Sequence, residues 1–231
     1  MSRYSFLTDT YATERQKILG VWAMFRDSEM SWRPERRARS VLEQMVHQCV
    51  SEDAWMKKFL GIEVSEPPLP ASEVRREFLR KYAVASALRL ETLRAMPESW
   101  FEEETAFFDV TRSRAWIIVR RVAHSAHHRG QLTAYLRALG HDLYSTYGPT
   151  ADTGGLAQNG AAVIYQYPDI ETLLNAEGSP PLPGPGAKPP RAAGSVNERG
   201  LKPATTFGDN RVPDMGDNRV PDMGDNPVPE M

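Results

Sequence analysis

The chain has 231 residues, 41% of them hydrophobic and 25% charged, with 28 Lys+Arg against 30 Asp+Glu for a formal net charge of -2. That balance excludes a global basic field of the kind that binds nucleic acid or anionic membrane, and no apolar run approaches the roughly 18 residues of a membrane span. A single cysteine, Cys49, excludes an intrachain disulfide and any multi-cysteine zinc or iron–sulfur site. The segment Met1 to Asp9 already mixes polar and charged groups and has no leader-like pattern. A cytoplasmic protein is expected.

Helical periodicity dominates the first 140 residues. From Asp9 to Arg26, Tyr11, Ile18, Trp22 and Phe25 fall nearly in line at 100° per residue. Trp32-Arg33-Pro34 breaks that helix, because proline disfavours helix in the residue before it. Ser40 and Glu43 fit a capping box and start a second helix that runs to Leu60, where Gly61 stops it. After the stiff Glu66-to-Pro70 connector, Ser72 is the expected N-cap of a third helix reaching Met96, with Val74, Phe78, Leu79, Tyr82, Ala83, Leu90 and Leu93 on its apolar face. Glu102, Glu103 and Glu104 read as a solvated loop. The fourth helix is expected from Thr111 to Leu139, ending at Gly140. No strand-like alternation competes, so the fold class is all-α, a four-helix bundle.

Beyond the bundle the pattern weakens. His141 to Tyr167 is rich in turn residues and matches no nucleotide-binding glycine pattern. Val163, Ile164, Tyr165 and Tyr167 are candidates for packing back on the bundle, and Asp169 to Ala176 for a short helix. Such an extension is also a candidate cover for a site on the bundle. From Gly178 to Met231, 19 of 54 positions are Pro or Gly, and the chain ends in three tandem copies, GDNRVPDM, GDNRVPDM and GDNPVPEM. Too little apolar surface is available there to offset ordering entropy, and a disordered tail is expected. The organisation expected is thus a bundle over 1–145, a packed loop and helix over 146–177, and a tail over 178–231 with eight-residue repeats from 208.

Histidine placement carries the chemistry. Of the five histidines, His47, His124, His127, His128 and His141, three stand in AHSAHHRGQL, Ala123 to Leu132. His124 and His128 at i, i+4 project from one helix face and can ligate one metal ion; His124 and His127 at i, i+3 can as well, and spacing does not choose between them. Ser125 follows His124, so no zincin HExxH is present. On the second helix the strongest apolar line is Val41, Met45, Cys49, Met56 and Phe59; His47 lies off it, with Val50 and Ala54, and periodicity alone places it towards solvent. Cys49 lies on the opposite side from His47 and reads as a buried small hydrophobe.

These residues resemble the DinB/YfiT-like superfamily. The resemblance rests on the H-x3-H-R-G-Q core from His124 to Gln131, on YLRALG from Tyr135 to Gly140, and on MVHQCVSEDAW from Met45 to Trp55. It covers about residues 5 to 145. It implies a four-helix bundle with a metal-binding histidine triad at His47, His124 and His128, leaving His127 incidental or supporting and His141 beyond the helix end. Similar proteins include bacillithiol S-transferases and a mycothiol-dependent maleylpyruvate isomerase. The resemblance therefore implies a divalent ion, zinc or nickel first and iron or manganese as alternatives, working with a low-molecular-weight thiol or water on a small-molecule substrate. Thiol S-transfer is the leading expectation. A metal-dependent hydrolase and a non-catalytic metal-binding stress-response or ligand-binding protein are the alternatives.

Other residues near the triad have two readings each. Gln131 is a candidate to orient a ligand or water, and Arg120, Arg121 and Arg129 to bind a substrate carboxylate; each is also an ordinary polar or solvated helix residue. Trp22, Trp55, Trp116 and Tyr135 are candidate pocket walls or simply core. Glu43 belongs to capping. Neither nucleic acid nor membrane is expected as a partner; a homodimer is one candidate assembly, and the sequence does not fix the oligomeric state.

Overall fold

Four long helices make up most of the structure, a computed structural model that describes residues 2–153 and 161–176. They are α1 (Ser5–Ala23), α2 (Val41–Leu60), α3 (Arg75–Ala95) and, after a short α4 (Glu98–Glu102) and a hairpin of β1 (Glu104–Phe107) and β2 (Val110–Ser113), the long α5 (Arg114–Ala138). A last helix, α6 (Ile170–Asn175), follows the extension. In the bundle α1 packs against α3 and α5, while α2 packs against α5 and α3. The tail and its repeats lie outside the described residues.

Local chemistry sets α2 most sharply. The Ser40 hydroxyl accepts from Glu43 N at 3.2 Å, and Ser40 N donates to the Glu43 carboxylate at 2.7 Å. This reciprocal pair satisfies two otherwise orphaned donors, a cap worth about 1 kcal/mol. At the other end Gly61 takes φ +65°, a left-handed conformation that costs glycine little. Three expected starts move, those of α1, α3 and α5. Helix α1 begins at Ser5, four residues before the expected Asp9. Helix α3 is capped at Val74, whose side chain makes no cap bond, and not at Ser72.

The segment before α5 differs more. Thr111 lies in β2, and the helix begins after Ser113, whose hydroxyl accepts from Trp116 N at 3.3 Å. Glu102, Glu103 and Glu104 are exposed as expected, but they close α4 and open β1 instead of forming a loop. The hairpin pairs Phe107 with Val110 across Phe108 and Asp109. Phe108 has φ +53°, where a bulky side chain is strained by about 1–3 kcal/mol. Its ring, 64% exposed, lies against Phe59 and Phe107 with centroids 5.0 and 4.8 Å away, which holds the turn in place.

One core half gathers Trp22, Phe25, Met45, Phe78, Tyr82 and Leu136; the other gathers Leu7, Met56, Phe101, Ile117 and Ile118. The expected apolar lines are buried, apart from Val74, which is exposed. The extension returns to the bundle through Leu143, Tyr144 and Leu173, and α6 packs on α1 and α3. Val163, Ile164 and Tyr165 stay exposed, whereas Tyr167 is half-buried against the core. No described helix is long and apolar enough to cross a membrane.

Candidate metal centre

Three of the five histidines meet where α2 faces α5. One nitrogen from each of His47, His124 and His128 lies within 4.8 Å of the others. The Nε2 atoms of His124 and His128 are 3.2 Å apart. Two imidazole nitrogens on one tetrahedral ion, each at about 2.0–2.1 Å, stand about 3.3 Å apart, so the spacing fits shared ligation. His127 is exposed and outside the cluster, which decides between the two spacings on α5. His141 is elsewhere, 2.8 Å from Glu29.

The periodicity reading of His47 fails for a simple reason: its side of α2 is a packing face. At about 100° per residue, His47, Ser51, Gln44 and Trp55 span about 80° of the helix. All four meet α5. Ser51 accepts from Arg121 at 3.0 Å, the Gln44 amide oxygen lies 2.8 Å from His128 Nδ1, and Trp55 stacks on His124 with centroids 5.6 Å apart. His47 is half-buried there, its ring centroid 4.6 Å from that of His128.

Hydrogen bonds fix which nitrogen of His128 faces the cluster. Both partners of its Nδ1 are amide oxygens, Gln44 Oε1 at 2.8 Å and Gln131 Oε1 at 3.1 Å, so Nδ1 carries the proton and donates. The Nε2 lone pair is thereby free to ligate, the usual arrangement behind a metal-bound histidine. Gln44 Nε2 in turn donates to Gln131 Oε1 at 2.9 Å. Gln131 thus orients a ring, as the sequence suggested; Gln44 is a partner that periodicity did not single out.

The rings are held neutral. Burial is the first cause, and it lowers His47 from 6.5 to about 4, with the charges of Arg39 and Arg121 adding to it. Burial and then Arg121 lower His124 to about 3; burial and then His47 lower His128 to about 4. Three neutral imidazoles at pH 7 need not lose a net proton to bind a divalent ion. The same shifts have a stability consequence in chelator. Below pH 6.5 the unfolded chain takes up protons at these rings and the folded chain does not, so stability falls as pH drops from about 6.5 to about 4 and levels off above 7. Urea midpoints at a series of pH values read this out. A midpoint that does not move across that window contradicts it.

Arginines suggested by the sequence divide sharply. Arg120 is exposed, and Arg129 is buried in an ion pair with Glu14, so neither is aimed at the cluster. Arg121 is 1% exposed and reaches it, Nη1 standing 3.2 Å from His124 Nδ1. Behind Arg121 stands Glu52, fully buried, which accepts from Tyr11 at 2.6 Å, Tyr82 at 3.0 Å and Arg89 at 3.2 Å and lies 3.6 Å from Arg121 Nη2. Arg89 also donates to Asp53 at 2.8 Å. Of the aromatic candidates, Trp22 and Tyr135 are core, Trp116 is partly exposed beside the hairpin, and Trp55 alone touches a triad ring.

A cavity of about 590 Å³ opens beside His47, lined by Arg39, Leu42, Glu43, Val46, Val50 and Glu73. All of these come from α2, its N-terminal approach and the loop before α3. None of these lining residues comes from the described part of the C-terminal extension. Cys49 is buried and its thiol is pushed up to about 12, first by burial and then by Glu52, which removes it as a ligand or nucleophile.

The chain is similar to solved proteins of the same architecture. A DinB-like protein from Bacillus cereus ATCC 10987 superposes with a TM-score of 0.51 at 15% identity, covering 58% of this chain and 91% of that one. A DinB-like protein from Bacillus subtilis gives a TM-score of 0.48 at 14% identity, with 59% and 94% covered. No curated protein matches the sequence. The model of the DinB family matches residues 1–158, most of the chain and all four bundle helices. The chain belongs to the DinB family.

Proposed function

We propose that His47, His124 and His128 hold one divalent ion, and that the centre activates a low-molecular-weight thiol, or water, for transfer to a small-molecule substrate, with thiol S-transfer as the leading reaction. One observation carries the reading: three neutral imidazoles converge, one of them (His47) lining an open cavity, with no carboxylate or thiolate in the cluster among the described residues. Three protein ligands leave a coordination position for a reacting molecule, as in catalytic rather than structural sites. When bound, a divalent ion would bring a coordinated water towards a pKa of about 7 or hold a coordinated thiol as thiolate. The ligand set suits zinc or nickel first, with iron or manganese as alternatives.

The chain's own residues shape the rest. Leu42, Val46 and Val50 offer an apolar wall to a substrate's carbon skeleton, and the rim carries both signs of charge, Arg39 with Glu43 and Glu73. Gln44 and Gln131 hold the His128 ring so that its Nε2 stays turned to the cluster. Because Cys49 is buried and protonated, the reacting thiol comes from a small molecule.

The test uses the full chain reconstituted with zinc or nickel, mixed with a small thiol and an aryl halide or epoxide. Thiol adduct formed well above the rate without protein, and lost in a folded His128→Ala variant, supports the reading. Turnover of esters alone redirects it to a hydrolase. A metal-loaded protein inert to both is a binding protein, and the catalytic reading fails.

A further inference from the structure

The two α5 ligands of the triad are supported in opposite senses. His128 donates Nδ1–H to an amide oxygen and presents a bare Nε2. His124 Nδ1 instead faces Arg121 Nη1 at 3.2 Å, and a guanidinium only donates. A neutral imidazole has one N–H, so the His124 proton sits on Nε2, from which it reaches His128 Nε2 at 3.2 Å. The whole chain then runs in one direction, from Arg121 through His124, His128 and Gln44 to Gln131, each donor meeting an acceptor.

That arrangement opposes ligation. For His124 Nε2 to bind an ion, its proton must move to Nδ1, where it would confront the N–H of Arg121. No change of charge is involved, since the proton moves between two nitrogens of one neutral ring. Arg121 has elsewhere to go: Ser51 Oγ accepts from the same Nη1 at 3.0 Å, and Glu52 lies 3.6 Å from Nη2, beyond an ordinary hydrogen bond. Its Nε is buried with no partner among the described residues, so the present pose leaves the group incompletely satisfied.

We infer that Arg121 sets the metal affinity of the centre: by donating to His124 Nδ1 it holds that ring in the non-ligating tautomer, and metal uptake requires it to withdraw onto Glu52 and Ser51. The inference rests on the metal reading above and deepens it, making Arg121 a positioning residue that acts through His124. The contrast between Gln44 and Arg121 supplies the experiment, because glutamine can accept where arginine cannot.

Two-bond ¹H–¹⁵N correlation spectra of the chelator-treated full chain report each histidine's tautomer, and zinc titration reports affinity. Wild type is expected to show His124 as Nε2–H and His128 as Nδ1–H. Arg121→Gln is expected to switch His124 to Nδ1–H and to tighten zinc binding about tenfold or more, the scale of partners behind metal-bound histidines. Arg121→Lys, still a donor, keeps the wild-type tautomer. His124 found as Nδ1–H in wild type overturns the inference without any variant having to fold. So does an Arg121→Gln protein whose tautomer or affinity is unchanged or whose binding is weaker. If wild type binds zinc in that last case, the inference alone has failed. If neither protein takes up zinc, the metal reading fails with it.

Discussion

Replacing Glu52 by alanine is expected to destabilise the fold by about 3–5 kcal/mol, the range seen when one partner of a buried ion pair is removed. Glu52 is the single buried carboxylate between Arg89 and Arg121, and it also accepts from Tyr11 and Tyr82. Among the described residues its loss leaves Arg121 with no anion and Arg89 with only the partly exposed Asp53, besides two buried hydroxyls lacking an acceptor. Desolvated cations without a counter-charge are what make the effect large, since a domain's total stability is only about 5–15 kcal/mol. Glu52→Gln keeps the volume and one acceptor and should cost less, while still disturbing Arg121 and hence His124. Urea unfolding at pH 7 in chelator measures both. A loss below about 1 kcal/mol for the alanine variant would mean that this network is not what secures α2 to its neighbours.

Zinc added to the chelated protein is expected to raise its Tm strongly. An ion that binds only the folded state adds about 4 kcal/mol when free metal is a thousandfold above its Kd. For a domain of this size each kcal/mol moves Tm by about 2–4 °C, so a rise of about 8–16 °C follows. His128→Ala removes the ligand anchored by Gln44 and Gln131 and should abolish the rise, on an unliganded Tm that lies a few degrees below that of wild type because a buried, hydrogen-bonded ring is lost. Thermal unfolding followed by circular dichroism reads it. An equal rise in both proteins would place the zinc elsewhere on the chain.

Much of the fold was legible because its signals are local. Ser40, Glu43 and Gly61 fix both ends of α2 through hydrogen bonds and backbone angle alone. The hairpin was not legible: four-residue strands are too short to display alternation, and Phe108 is not a residue that a tight turn usually recruits at a left-handed position. The start of α3 was misplaced because Ser72 matches a cap by type while the chain becomes helical only at Arg75.

The site divides in the same way. The i, i+4 pair on α5 could be read as a metal motif, but choosing His128 over His127 needed the direction in which α2 packs. His47 seemed to face solvent because apolar periodicity does not register a polar sector that meets another polar sector across a helix interface. Glu52 was available to sequence reasoning and was overlooked. At about 100° per residue it falls in the middle of the Val41, Met45, Met56 and Phe59 stripe, where a carboxylate has to be paired. Arg39, by contrast, belongs to the irregular approach to α2, and no periodicity could have brought it to the rim.

Elemental analysis of untagged full-length protein, purified without chelator, beside a variant carrying His47→Ala, His124→Ala and His128→Ala, tests the triad most directly. The expected result is about one divalent ion per wild-type chain and none in a variant that keeps its helical circular dichroism spectrum. Wild-type protein that holds no metal even after reconstitution with zinc, nickel, iron or manganese would contradict the account, as would a variant that binds as much as wild type.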